Sequence, residues 1–63
     1  MRKFRKALDE LINVNPEGNV FLCAAEFKKY ATTLNFKYKG LEIVINEDIP
    51  KDGIYSLKYG INE

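Results

Sequence analysis

The sequence predicts an α+β fold in which two helices pack on a small antiparallel β-hairpin or sheet, in the order ααββ. Apolar residues recur at helical spacing near the N-terminus and again in the middle of the chain, whereas the period changes to two after Asn35. Two β-like runs follow, and a polar segment that contains Pro50 separates them. Because the chain has 63 residues, we expect a single small domain over 1–63.

The first helix is predicted from about Arg2 to Asn13. Pro16 and Gly18, in the segment NVNPEGN, end it because a residue before proline avoids the α conformation and glycine favours a turn. The apolar stripe that predicts this helix has the spacing i, i+3, i+4, i+7 and i+8 and consists of Phe4, Ala7, Leu8, Leu11 and Ile12.

The second helix is predicted from about Val20 to Leu34, with Asn19 as its N-cap and Asn35 as its stop. The alternative is a buried strand over Val20–Ala25, because a short apolar run does not reveal its period. A longer window favours the helix, since it contains a stripe made of Val20, Cys23, Ala24, Phe27, Ala31 and Leu34.

The remaining residues predict strands. Phe36 and Tyr38 are out of phase with the alternating residues of Leu41–Ile45, so we expect a β-bulge at Gly40 or, alternatively, a tight turn at Lys39–Gly40. The segment NEDIPKDG is the predicted loop before a final strand. One face of that strand carries Tyr55, Leu57 and Tyr59, and the ribbon offers an apolar face to both helices.

The residue inventory argues against an enzyme. The chain contains no His, and Cys23 and Ser56 are its only cysteine and its only serine. Cys23 lies on the predicted apolar stripe, where a thiol acts as a small buried hydrophobe. The acidic segment Glu47, Asp48 and Asp52 lacks the spacing of a calcium loop and predicts a solvated loop. We therefore predict no catalytic residue, no metal and no cofactor.

Targeting signals are not evident. A basic N-terminus is not followed by the apolar region of a signal peptide, and the longest apolar run, Val20–Ala25, is too short to span a membrane. A single cysteine without a pairing partner favours a reducing compartment. We expect a soluble cytoplasmic protein that does not interact with membranes.

The charges are unevenly distributed along the chain. Residues 1–39 carry eight Lys or Arg and four acids, a net charge of +4, whereas residues 40–63 carry a net charge of −3. Cations crowd the first helical turn, where the helix dipole favours anions. Phosphate contact would explain them, and the alternative function is therefore a small nucleic-acid-binding protein that uses Arg2, Lys3, Arg5, Lys6, Lys28 and Lys29.

The leading hypothesis is a non-enzymatic protein-binding module, either a regulator or inhibitor or a self-associating accessory protein. A core this small benefits from a partner, the predicted sheet has free edges, and four tyrosines exceed what such a core needs. The expected partner is another protein or a second copy in a homodimer. The candidate binding residues are Tyr30, Tyr55, Tyr59 and Lys58.

Residues 40–60, GLEIVINEDIPKDGIYSLKYG, resemble strand–proline loop–strand segments of tailed-phage proteins. The resemblance covers a third of the chain and identifies no functional residue. It implies a phage-encoded accessory or inhibitory protein in the cytoplasm of a bacterium or of a phage-infected host cell.

Overall fold

The computed structural model describes residues 1–58. Helix α1 spans Arg2–Val14, strand β1 spans Val20–Cys23, and a 3₁₀ turn over Ala25–Phe27 leads into helix α2 at Lys28–Thr33. Three further strands follow: β2 at Lys37–Tyr38, β3 at Leu41–Ile45 and β4 at Ile54–Leu57.

Two helices and a four-stranded sheet confirm the α+β class. The sheet order is β2-β3-β1-β4, and the sheet is mixed: β1 is parallel to β3 and antiparallel to β4, while β2 and β3 are antiparallel. The predicted arrangement of the last two long strands as an antiparallel hairpin is wrong, because β1 lies between them. The loop from Asn46 to Gly53 therefore crosses over β1 and does not close a hairpin.

The predicted helix from Val20 to Leu34 is wrong over its first part, and the alternative strand is correct for Val20–Cys23. β-branched and aromatic side chains at Val20 and Phe21 suit a strand, and β1 is an inner strand that pairs with β3 on one side and β4 on the other. A parallel connection from β1 to β3 also requires a crossover of a dozen or more residues, which residues 24–40 supply. The helical stripe is real only from Phe27 onward, where α2 buries Ala31.

Positive φ angles occur just before β2 and in the turn between β2 and β3. Asn35 (φ 58°) ends α2 as predicted, and the N–H of Phe36 donates to the carbonyl of Ala31 at 2.8 Å, which closes the helix. The predicted bulge at Gly40 is wrong and the tight turn is correct, because Lys39 (φ 51°) and Gly40 (φ 84°) occupy a two-residue turn of the type I′ kind.

The core lies between the helices and one face of the sheet. Helix α1 forms as predicted and buries Phe4 and Leu8. The ring of Phe4 stacks on Phe27 at 5.1 Å between centroids and lies 5.5 Å from the ring of Tyr30, so aromatic packing joins the two helical segments. The cluster of buried side chains consists of Phe4, Leu8, Phe21, Cys23, Ala31 and Ile43.

Candidate protein-binding surface

The two faces of the sheet differ in what covers them. Phe21 and Cys23 of β1, together with Ile43 of β3, belong to the buried cluster under the helices. Because successive side chains of a strand point to opposite faces, the residues between them point away from the helices. We call this side the outer sheet face; it consists of Val20, Leu22, Lys37, Glu42, Val44, Tyr55 and Leu57.

The strand register places these side chains in two rows across the sheet. Leu22 is paired with Val44 on one side and with Tyr55 on the other, so these three apolar side chains are adjacent. The second row runs from Lys37 through Glu42 and Val20 to Leu57. The outer sheet face is thus an apolar centre with one cation and one anion at a single corner.

Exposure measures how open this centre is. Tyr55 is 50% exposed, Val44 is 36% exposed and Leu22 is half-buried, whereas Val20 is only 6% exposed. No helix among residues 1–58 covers this face, since α1 and α2 both pack over the buried cluster. A contiguous apolar surface of this kind is typical of a site that another molecule covers.

The predicted binding residues do not form one surface. Tyr55 lies on the outer sheet face, while Tyr30 is half-buried on the opposite side of the molecule against Phe4. Lys58 is exposed at the end of β4, with its Nζ 3.8 Å from Glu17 Oε1. Tyr59 lies outside the described residues.

The cations of the nucleic-acid alternative lie on the two helical segments. We call α1 together with residues 25–34 the helix layer. This layer holds six Lys or Arg and three acids, a net charge of +3. Within residues 1–58 none of these six cations forms a salt bridge, because the two ion pairs use Lys39 and Lys58. The structure places on this layer all of the predicted set, namely Arg2, Lys3, Arg5, Lys6, Lys28 and Lys29.

A groove of about 780 Å³ lies at the end of the helix layer where α1 begins. Its apolar walls include Phe4, Phe27 and Tyr30, and the carboxylates of Glu26 and Asp52 also line it. The backbone N–H of Asp52 donates to Glu26 Oε1 at 2.9 Å, so this carboxylate holds the loop before β4 in place. Glu26 thus has a structural role in the wall of the groove.

The Asp9 carboxylate joins α1 to the β2–β3 turn. Lys39 Nζ lies 2.8 Å from Asp9 Oδ1. The hydrogen bond from Lys39 lowers the pKa of Asp9, and a smaller contribution from the hydroxyl of Tyr38 acts in the same direction. The same contact raises the pKa of Lys39. Both side chains are well exposed, so the pair orients the hairpin more than it stabilises the fold.

The Cys23 thiol is fully buried on the core side of β1. Burial raises its pKa to about 11, which keeps the thiol protonated and a poor nucleophile at neutral pH. The sequence assigned this side chain to the core on a helix, and the structure keeps it in the core on a strand.

The acidic segment after β3 forms an ordinary turn. The backbone N–H of Asp48 donates to Asn46 Oδ1 at 2.8 Å, as in an Asx turn. In the part of the chain that the structure describes, no group of three or more His, Cys, Asp or Glu could hold a metal ion. Nor is any helix in that part long and apolar enough to cross a bilayer.

No family model, no curated protein and no solved structure matches this chain. The resemblance of residues 40–60 to tailed-phage segments stays a prediction.

Tyr55 is the only residue of the outer sheet face that the sequence predicted as a binding residue. Val20 and Leu22 lie in the predicted second helix, and Val44 was not a candidate. The expectation that the apolar face of the last strand packs on the helices is wrong for Tyr55 and Leu57, because their pairing with Leu22 and Val20 places them on the opposite side of the sheet. Two signals were available. The continuous apolar run Val20–Cys23 is typical of a strand that is buried on both faces, and Val44 interrupts the alternation between Ile43 and Ile45.

Proposed function

We propose that this protein is a non-enzymatic protein-binding module whose binding surface is the outer sheet face. The observation that carries the proposal is the row of Leu22, Val44 and Tyr55, which is apolar, contiguous and left open by both helices. The proposed setting is the cytoplasm, since the chain has one thiol and no cysteine to pair with it.

The proposed mechanism separates affinity from orientation. Tyr55 supplies a large, half-exposed ring at the β4 end of the apolar row, and aromatic anchors of this kind contribute strongly to binding when a partner buries them. Lys37 and Glu42 stand at one corner of the face, where rim charges set orientation and the rate of association. A partner that regulates or is regulated by this chain would then present its own apolar patch to these residues.

A photo-crosslinking amino acid tests this surface in cells. The photoreactive residue p-benzoylphenylalanine is placed at position 55, and the matched control places it at position 14, because Val14 is apolar and 81% exposed but lies at the end of α1. We expect protein adducts from position 55 and few from position 14. Equal adducts from both positions, or none from position 55, would refute the proposal.

The second candidate function is nucleic-acid binding through the helix layer. It is supported by the six cations that form no salt bridge within residues 1–58. Fluorescence anisotropy with short DNA and RNA should then show binding that weakens steeply with salt. Replacing Lys28 and Lys29 with Gln should reduce both the affinity and the salt dependence. Absence of binding at low salt excludes this candidate.

A further inference from the structure

We propose that the partner of the outer sheet face is a second copy of this chain, in a symmetric dimer whose two sheets pack face to face. The inference rests on the proposed function, because it names the occupant of the same surface. Three properties of the described residues select a second copy: the charge of the face, the charge of the opposite layer and the thinness of the core.

The charge of the outer sheet face is balanced within one chain. Among the described residues of this face, the charged side chains are Lys37 and Glu42, which are strand partners at one corner. A symmetric dimer brings a patch against itself, so a patch with an excess of one sign repels its copy. A patch with one charge of each sign and an apolar centre avoids this repulsion. Homodimer interfaces are also more apolar than other interfaces, as this centre is.

The helix layer has the opposite property. Its net charge of +3 would oppose a second helix layer if the helices met. Sheets pack about 10 Å apart and a helix is about 10 Å thick, so face-to-face sheets place the two cationic layers about 30 Å from each other. This separation is several times the Debye length of about 8 Å at physiological ionic strength. Charge therefore favours dimerisation through the sheet and disfavours it through the helices.

The core of one chain is thin enough to benefit from this packing. The buried cluster contains six residues, and all of them lie on one side of the sheet. Chains of about 60 residues bury only about 60% of the surface that they expose when unfolded. A second sheet would turn Leu22, Val44 and Leu57 into the inner layer of a β-sandwich, with strands of the two sheets inclined by about 30°.

Sedimentation equilibrium of the whole chain tests the dimer. We expect the wild-type chain at about 100 μM to show an average mass about 1.8 times the monomer mass of 7.3 kDa, as a dimer with a dissociation constant of about 10 μM would. Val44→Lys should weaken association at least about tenfold, because a lysine would be buried without a partner. Val14→Lys, which adds the same charge away from the face, should behave as wild type. Far-UV circular dichroism verifies that each variant is folded.

Tyr55→Glu is the second variant on the face, and it keeps the test decisive if Val44→Lys unfolds. A wild-type mass of 7.3 kDa up to about 1 mM, a concentration at which even weak dimers associate, would overturn the inference. Equal weakening by Val14→Lys would do the same. If the chain stays monomeric while position 55 still crosslinks to a different protein, the second copy is excluded and the proposed function stands. If neither occurs, both fail.

Discussion

Gly18 offers a stringent test of the strand order, because it lies against a residue of β4. A Cβ atom at Gly18 would lie 2.4 Å from Ser56 Oγ, whereas ordinary contact begins at 3.4 Å, so the two atoms must separate by 1.0 Å. Asn15 leaves little room for this movement, since its Nδ2 would lie 3.0 Å from the new carbon and donates to the carbonyl of Ser56 at 3.4 Å. The contact exists only because β4 pairs with β1.

We expect Gly18→Ala to lower the free energy of unfolding by about 2 kcal/mol, a typical cost of overpacking. In a domain of this size that corresponds to a melting temperature about 8–16 °C lower. Urea denaturation followed by circular dichroism measures the change. The matched background is Ser56→Ala, which removes the crowded oxygen and should reduce the cost of Gly18→Ala by at least about 1 kcal/mol. A cost within about 0.5 kcal/mol of zero, or the same cost in both backgrounds, would refute the packing.

Three further predictions test other parts of the structure. Burial raises the pKa of the Cys23 thiol from 9.0 to about 11, so between these values the folded state keeps a proton that the unfolded state releases. The free energy of unfolding is therefore unaffected by this thiol below pH 9 and decreases by about 2–3 kcal/mol between pH 9 and 11. Urea denaturation should show no such additional decrease in Cys23→Ala, and identical alkaline slopes would contradict the burial. Because the pKa of Asp9 is lowered, its charge stabilises the fold above its ordinary pKa of 3.8, and this stabilisation is lost as the pH decreases through the folded value. Asp9→Asn should therefore lower the melting temperature at about pH 7, and its difference from the wild type should shrink as the pH is lowered; a difference that does not depend on pH would contradict the ion pair. Ile43→Ala on the core side should cost about 2–4 kcal/mol, whereas Val44→Ala should cost less than about 1 kcal/mol when dilute enough to be monomeric, and similar costs would mean that the two faces are wrongly assigned.

The first helix and the fold class follow from local patterns. The apolar stripe that includes Phe4 and Leu8 keeps the helical spacing over about three turns. Asn35 adopts a positive φ, a backbone conformation that few other residue types adopt readily. Such signals need no knowledge of distant partners. They predicted where α1 lies and where α2 ends.

The strand order and the binding surface could not be predicted in the same way. Whether Val20–Cys23 forms a strand depends on its pairing with Val44 and Tyr55, which are more than 20 residues away in the chain. Placing β1 in the sheet decides that Leu22, Val44 and Tyr55 share a face. The sequence predicted Tyr55 as a binding residue from its residue type alone, and only the register reveals its neighbours.

The proposed function and the proposed dimer both require that the outer sheet face, and not the helix layer, becomes covered when the protein binds. Methyl and amide NMR of the labelled chain measures this directly, either as its own concentration is raised or as the protein that crosslinks to position 55 is added. We expect chemical-shift changes at Leu22, Val44 and Leu57, with Val14 and Lys28 unaffected. Changes centred on α1 and α2 that leave β3 and β4 unchanged would exclude binding through the outer sheet face.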